Sequence, residues 1–162
     1  VEIPFAEKII SKKTILIIAV RKDTLDMATS KVIYQSNLRT DSTHIRSGVN
    51  VISDAPLDNQ GKGAAFSPTD YCATSLAMCM LTIAGIFTQN KDYVIDGSFA
   101  EVQKIMASEP RRISEIIVNI TFKCSRPLNE KEKLVLQRAA ETCPVTKSLH
   151  PDITQQFHYL YE

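Results

Sequence analysis

The chain has 162 residues, 44% of them hydrophobic, and a formal net charge of +1. That length suits one domain with a real core, and the near-zero charge excludes a broad nucleic-acid footprint or a polybasic membrane surface. Aromatics are few and tryptophan is absent, so a stacking platform for single-stranded nucleic acid is excluded as well.

Residues 1–26 differ in character from the rest of the chain. Their apolar run, Thr14-Ile-Leu-Ile-Ile-Ala-Val20, is much too short to cross a bilayer. Arg21-Lys22-Asp23 comes directly after it, where a signal peptide would place small residues. The run reads as a strand, added to a sheet or docked on a neighbouring chain. Met27-Ala-Thr-Ser-Lys31 makes a natural translational start. Residues 1–26 therefore read as an N-terminal extension, from an upstream start or an added segment, ahead of a domain spanning 27–162.

Residues 31–39 and 43–53 are predicted strands, with Thr40-Asp41-Ser42 as the turn between them and Ser47-Gly48 bending the second. Residues 54–63, rich in Pro, Asp, Asn and Gly, form a loop. Within it Gly61-Lys-Gly63 is a lone G-x-G, lacking both the dinucleotide fingerprint and a P-loop Gly-Lys-Ser/Thr.

Ser67 opens a helix. It is an N-cap residue, Pro68 suits the first helical position, and Asp70 completes a capping box. From Tyr71 to Phe87 nearly every side chain is apolar or small, so the helix is expected to be buried all round. Small residues such as Ala73, Ala77 and Gly85 would let a symmetry mate approach closely.

Residues 93–107 and 112–123 are predicted to pair as a hairpin turning near Glu109-Pro110. Alternation puts Ile116, Val118, Ile120 and Phe122 on one face. Asn129 caps a helix over 130–142, and Pro144 interrupts it directly after Cys143 and opens a short helix ending near Leu149. A strand over 153–161 closes the chain, with Ile153, Phe157, Tyr159 and Tyr161 on one face. Strands, helix, hairpin, helix, strand is an α+β order, with sheet packed on helices.

Four cysteines are too few for a disulfide framework, and no C-x-x-C occurs, so a reducing cytoplasm is the default. Cys72 and Cys79 share a helical stripe but lie about 10 Å apart along the axis, too far to bridge. His44, His150 and His158 show no ligand spacing with the cysteines, so no metal or cofactor is expected. Cys79, mid-helix among apolar residues, is either an inert small hydrophobe or a nucleophile that needs a cation from elsewhere in the fold. Cys143 sits where one helix ends and another begins, a place that favours the thiolate, or it is a helix-terminal core residue. Arg39 is a solvated charge, or it projects into a site to stabilise a thiolate and a departing oxygen; Arg46 has the same options. Cys72 and Cys124 read as structural.

Gly61-Lys-Gly63, Ser67-Pro-Thr-Asp70, Cys79 and Cys143-Pro-Val-Thr-Lys-Ser-Leu149 together resemble the OsmC-like proteins, relatives of the organic hydroperoxide resistance proteins. The resemblance covers residues 27–162. It implies an intertwined homodimer with a long central helix buried between curved antiparallel sheets. It further implies reduction of organic hydroperoxides: Cys79 attacks peroxide and becomes a sulfenic acid, Cys143 resolves it to a disulfide, and Arg39 pairs with the thiolate. A dithiol reductant, lipoyl-type or thioredoxin-type, would restore both thiols. Ten residues before the first cysteine, where peroxidase relatives carry a glutamate, stands Thr69. The competing expectation is a non-catalytic stress-related dimer that binds a small apolar or electrophilic ligand in the same pocket.

Overall fold

The structure, a computed structural model, describes residues 28–162. The strand expected at 14–20 and the boundary at 26/27 lie outside the described residues. The chain divides into two units, Val1–Ala65 and Phe66–Glu162.

The described part of the first unit is an antiparallel sheet, β1 (Ser30–Ser36), β2 (Arg39–His44) and β3 (Asn50–Asp54), with β2 in the middle. The expected turn at 40–42 is corrected. Those residues lie inside β2, paired with β1 at Tyr34↔Thr40 and with β3 at Thr40↔Ser53. The chain reverses instead at Ser36, Asn37 and Leu38, all at positive φ, a region that asparagine tolerates well. Thr40-Asp41-Ser42 remains a strand because ladders on both sides occupy its backbone. Its polar side chains also find partners across the strands, Thr40 with Ser53 Oγ at 2.6 Å and Asp41 with Asn50 at 3.1 Å. The predicted bend at Ser47-Gly48 is a full reversal, with Gly48 at φ 72°. The loop after β3 needs Gly61: a Cβ there would sit 1.7 Å from the Ala55 carbonyl oxygen.

The second unit is built on α1 (Pro68–Thr88). Its capping box is formed, Ser67 Oγ accepting from the Asp70 amide and Asp70 accepting from the Ser67 amide. The helix packs on β4 (Phe99–Ser108), β5 (Arg111–Phe122), α2 (Glu130–Glu141) and α3 (Pro144–Ser148). The hairpin β4–β5 turns at the expected place, but β4 begins only at Phe99, after a turn in which Gly97 has φ 82°. β6 (Thr154–Tyr161) pairs with β5 in parallel, so this sheet is mixed rather than antiparallel. The excursion through α2 and α3 returns the chain in the direction of β5, which a tight hairpin could not do.

The core lies where α1 meets β5. Leu76, Met80 and Ala84 recur every four residues on α1 and are fully buried against Ile116, Val118, Ile120 and Phe122 of β5, with Leu136 and Ala140 from α2. By length and composition α1 could cross a bilayer, as other core helices could. The expectation that α1 has no solvent face holds on its core side only. Within one chain Met78 (61% exposed), Thr82 and Ile86 (54%) form an open stripe.

Phe122 anchors β6 to the core, its ring near those of Tyr159 and Tyr161 at 6.1 and 5.6 Å. Phe122→Ala is expected to lower unfolding stability by about 3–5 kcal/mol, measured by urea denaturation.

Candidate active site

The core stripe of α1 fixes what sits beside it. Cys79 lies one residue before buried Met80 and is half-buried on the helix flank. Cys143 is the N-cap of α3, placed where Thr142 ends α2 and Pro144 starts the next helix, and it is completely buried. Each thiol is among the groups that shift the other's titration, so the fold brings together both sulfur positions singled out in the sequence.

Their surroundings are unequal. The Cys143 Sγ accepts from the Thr146 amide at 3.3 Å and lies 3.2 Å from the Thr146 hydroxyl. Burial pushes the Cys143 thiol up, but the two Thr146 groups, Cys79 and the Val145 amide outweigh it, and the net direction is down. Burial likewise pushes Cys79 up; the Val145 amide opposes this, and the neighbouring Cys143 adds to the rise. Thr146 is held from its other side by Gln155 of β6, whose Nε2 donates to the Thr146 carbonyl at 3.3 Å. Thr146 and Gln155 escaped the sequence reading because a threonine inside a short helix and a glutamine in a strand carry no pattern of their own.

Arg39 belongs to the first unit. It starts β2 rather than ending a strand, and its guanidinium lies 3.6 Å from Asp54 Oδ2, the two residues facing each other across the β2–β3 ladder. Asp54 is fully buried, and its Oδ2 also accepts from the Ala64 amide at 2.9 Å. The Ala64 amide bond holds the Asp54 carboxyl below the usual aspartate range; burial opposes it and Arg39 reinforces it. Its Oδ1 has no hydrogen-bond partner. Arg46 is exposed, in the turn between β2 and β3.

Thr69 and Asp70 face a different cation. Lys104 of β4 donates to Thr69 Oγ1 at 2.8 Å and to Asp70 Oδ1 at 2.6 Å. Asp70 thus both caps α1 and binds Lys104. Cys72 and Cys124 are half-buried, and burial raises the Cys124 thiol.

A half-buried thiol on a central helix neighbours a second thiol at a Cys-Pro junction in a small α+β fold. The OsmC-like protein family model matches residues 61–157, and the chain belongs to that family. It is 52% identical to a solved protein from Psychrobacter arcticus 273-4 described as an osmotic stress induced and detoxification response protein. That match covers 82% of this chain and 95% of the other, with a TM-score of 0.77. An OsmC-like protein from Mycoplasma pneumoniae shares the fold at 16% identity, covering 82% and 94% of the two chains, with a TM-score of 0.67. So does the organic hydroperoxide resistance protein OhrB of Bacillus subtilis, at 17% identity, 82% and 98% coverage and a TM-score of 0.55. No curated protein matches the chain.

Asp54 has a depressed folded-state pKa, so its contribution to stability is present above the unfolded aspartate value near 3.8 and is lost as pH falls through the folded value. Asp54→Asn is therefore expected to lower the urea midpoint at neutral pH. The gap from the unsubstituted protein should close progressively below pH 4, as followed by denaturation at several pH values.

Proposed function

We propose that this protein reduces organic hydroperoxides through Cys79 and Cys143. The observation that supports the reading is that two thiols far apart in the chain stand close enough to perturb each other's titration. A disulfide between them requires the sulfurs to reach an S–S length of about 2.05 Å.

Cys79 is the nucleophile because it is the more accessible of the two. Its thiolate attacks the terminal peroxide oxygen, the O–O bond breaks, and an alcohol leaves, with sulfenic acid on Cys79. Cys143 then attacks that sulfur, water is lost, and the disulfide forms. A dithiol of the lipoyl or thioredoxin type reduces it by exchange. Arg39 takes its role from the family resemblance: it supplies the cation for the Cys79 thiolate and for the departing oxygen, with Asp54 holding it in place of the glutamate absent at Thr69. Cys143 belongs to the same buried apolar cluster as Leu76 and Met80, and Cys79 and Val145 pack against it, a setting that favours alkyl over hydrogen peroxide. A homodimer covers the open α1 stripe at Met78 and Ile86, and a reducing cytoplasm keeps the resting thiols free. The names of the Psychrobacter and Bacillus relatives, detoxification response and organic hydroperoxide resistance, point the same way.

Cumene hydroperoxide added to reduced protein is expected to remove two thiols per peroxide. With Cys143→Ser one thiol should be lost, trapped by dimedone as a sulfenic acid on Cys79. Thiol counts unchanged over many equivalents would show a binding protein without turnover.

A further inference from the structure

We propose that the hollow between the end of α1 and the start of α2 binds a small monocarboxylate with a flat apolar body, of the benzoate type. The site lies wholly within the second unit, and the proposal does not depend on the thiol chemistry above.

The hollow measures about 170 Å³, with Phe87, Tyr93 and Val135 as its apolar walls. A dry cavity of about 150 Å³ accommodates benzene, so one ring with a single polar substituent suits this size. Phe87 is half-buried and Val135 is 39% exposed. A ring seated between them removes apolar surface from water.

The charged groups around the hollow are not equivalent. Both of its carboxylates are committed to one guanidinium. Arg126 Nε and Nη2 donate to Asp92 at 3.1 and 2.6 Å, and Nη1 and Nη2 donate to Glu132 at 3.2 and 2.8 Å. Glu132 also accepts from the Asn129 amide at 2.8 Å. The two lysines of the lining, Lys91 and Lys131, are exposed and form no ion pair among the described residues. Lys91 Nζ stands 4.7 Å from the Phe87 ring centre, and Lys131 is on the first turn of α2. Three cations thus surround two carboxylates, which leaves room for one more negative charge.

Tyr93 adds a donor. It is 3% exposed, and among the described residues nothing hydrogen-bonds its hydroxyl. Burial, reinforced by Glu132, pushes that hydroxyl up, so it stays protonated and can donate. A buried donor without a partner is costly, and a carboxylate would supply the partner. The frame is already in place. The Val94 amide donates to Ser125 Oγ at 3.1 Å, the Ser125 amide donates to the Val94 carbonyl at 3.0 Å, and the Asn129–Glu132 capping box fixes the first turn of α2. A preformed site spends little binding free energy on ordering.

The test is a titration of the ¹⁵N-labelled protein with benzoate, followed by amide chemical shifts. Saturable shifts centred on residues 87–93 and 131–135 are expected, with a dissociation constant on the order of 1 mM. Benzamide, which has the same shape without the charge, should bind about tenfold more weakly. Lys91→Gln combined with Lys131→Gln should weaken benzoate about tenfold, and Tyr93→Phe several-fold. Both lysines are exposed, so the double variant should fold, and its spectrum without benzoate checks that. Absence of saturation by about 20 mM overturns the proposal. So does equal affinity for benzamide, indifference to the lysine substitutions, or shifts centred elsewhere in the chain.

Discussion

The contact between Cys79 and Cys143 depends on how α1 is gripped. Leu76, Met80 and Ala84 seat the helix on β5, and that register leaves Cys79 on the flank facing the start of α3. Cys143 reaches the same point because α2 ends at Glu141 and Pro144 redirects the chain at once. Packed cores tolerate little rearrangement, so a sulfur pair mounted on two core elements meets at a fixed separation. A loop-borne thiol would have to find its partner by diffusion of the loop.

Much of this was legible. The Ser67-Pro68-Asp70 cap marks a helix start through side-chain chemistry that acts locally, and local rules read out of sequence well. The alternation of Ile116, Val118, Ile120 and Phe122 needs only a strand with one face in the core. What failed was non-local. Thr40-Asp41-Ser42 has turn composition, yet two flanking strands hold it extended, while Asn37 takes the reversal. The parallel pairing of β6 depends on where α2 and α3 deliver the chain, which no short pattern encodes. Both cysteines, and Arg39 in the first unit, were visible as residues with a reason to stand out. Asp54, Thr146 and Gln155 were not, because their roles come from partners far along the chain or from backbone groups.

The polar groups around α1 and β2 show a consistent division. At the start of the helix, Thr69 and Asp70 are committed to Lys104, so neither is free to orient an arginine. Arg39 faces a carboxylate of its own sheet instead, across the ladder from it. A cross-strand partner is fixed by backbone register, which holds the pair without a long side chain spanning two elements. Asp54 buried with one oxygen unpartnered is costly. A cost of that kind persists where the surrounding structure, here the Ala64 amide and Arg39, keeps the charged form in place.

The dry setting of the sulfurs limits the charge they can carry. Two adjacent thiolates in an apolar wall would repel each other and lose their hydration, so the pair holds at most one negative charge near neutral pH. The Cys143 sulfur has the Thr146 hydroxyl and amide beside it, at 3.2 and 3.3 Å, groups that favour its thiolate. Gln155 of β6 donates to the Thr146 carbonyl and so braces the residue that supplies both donors.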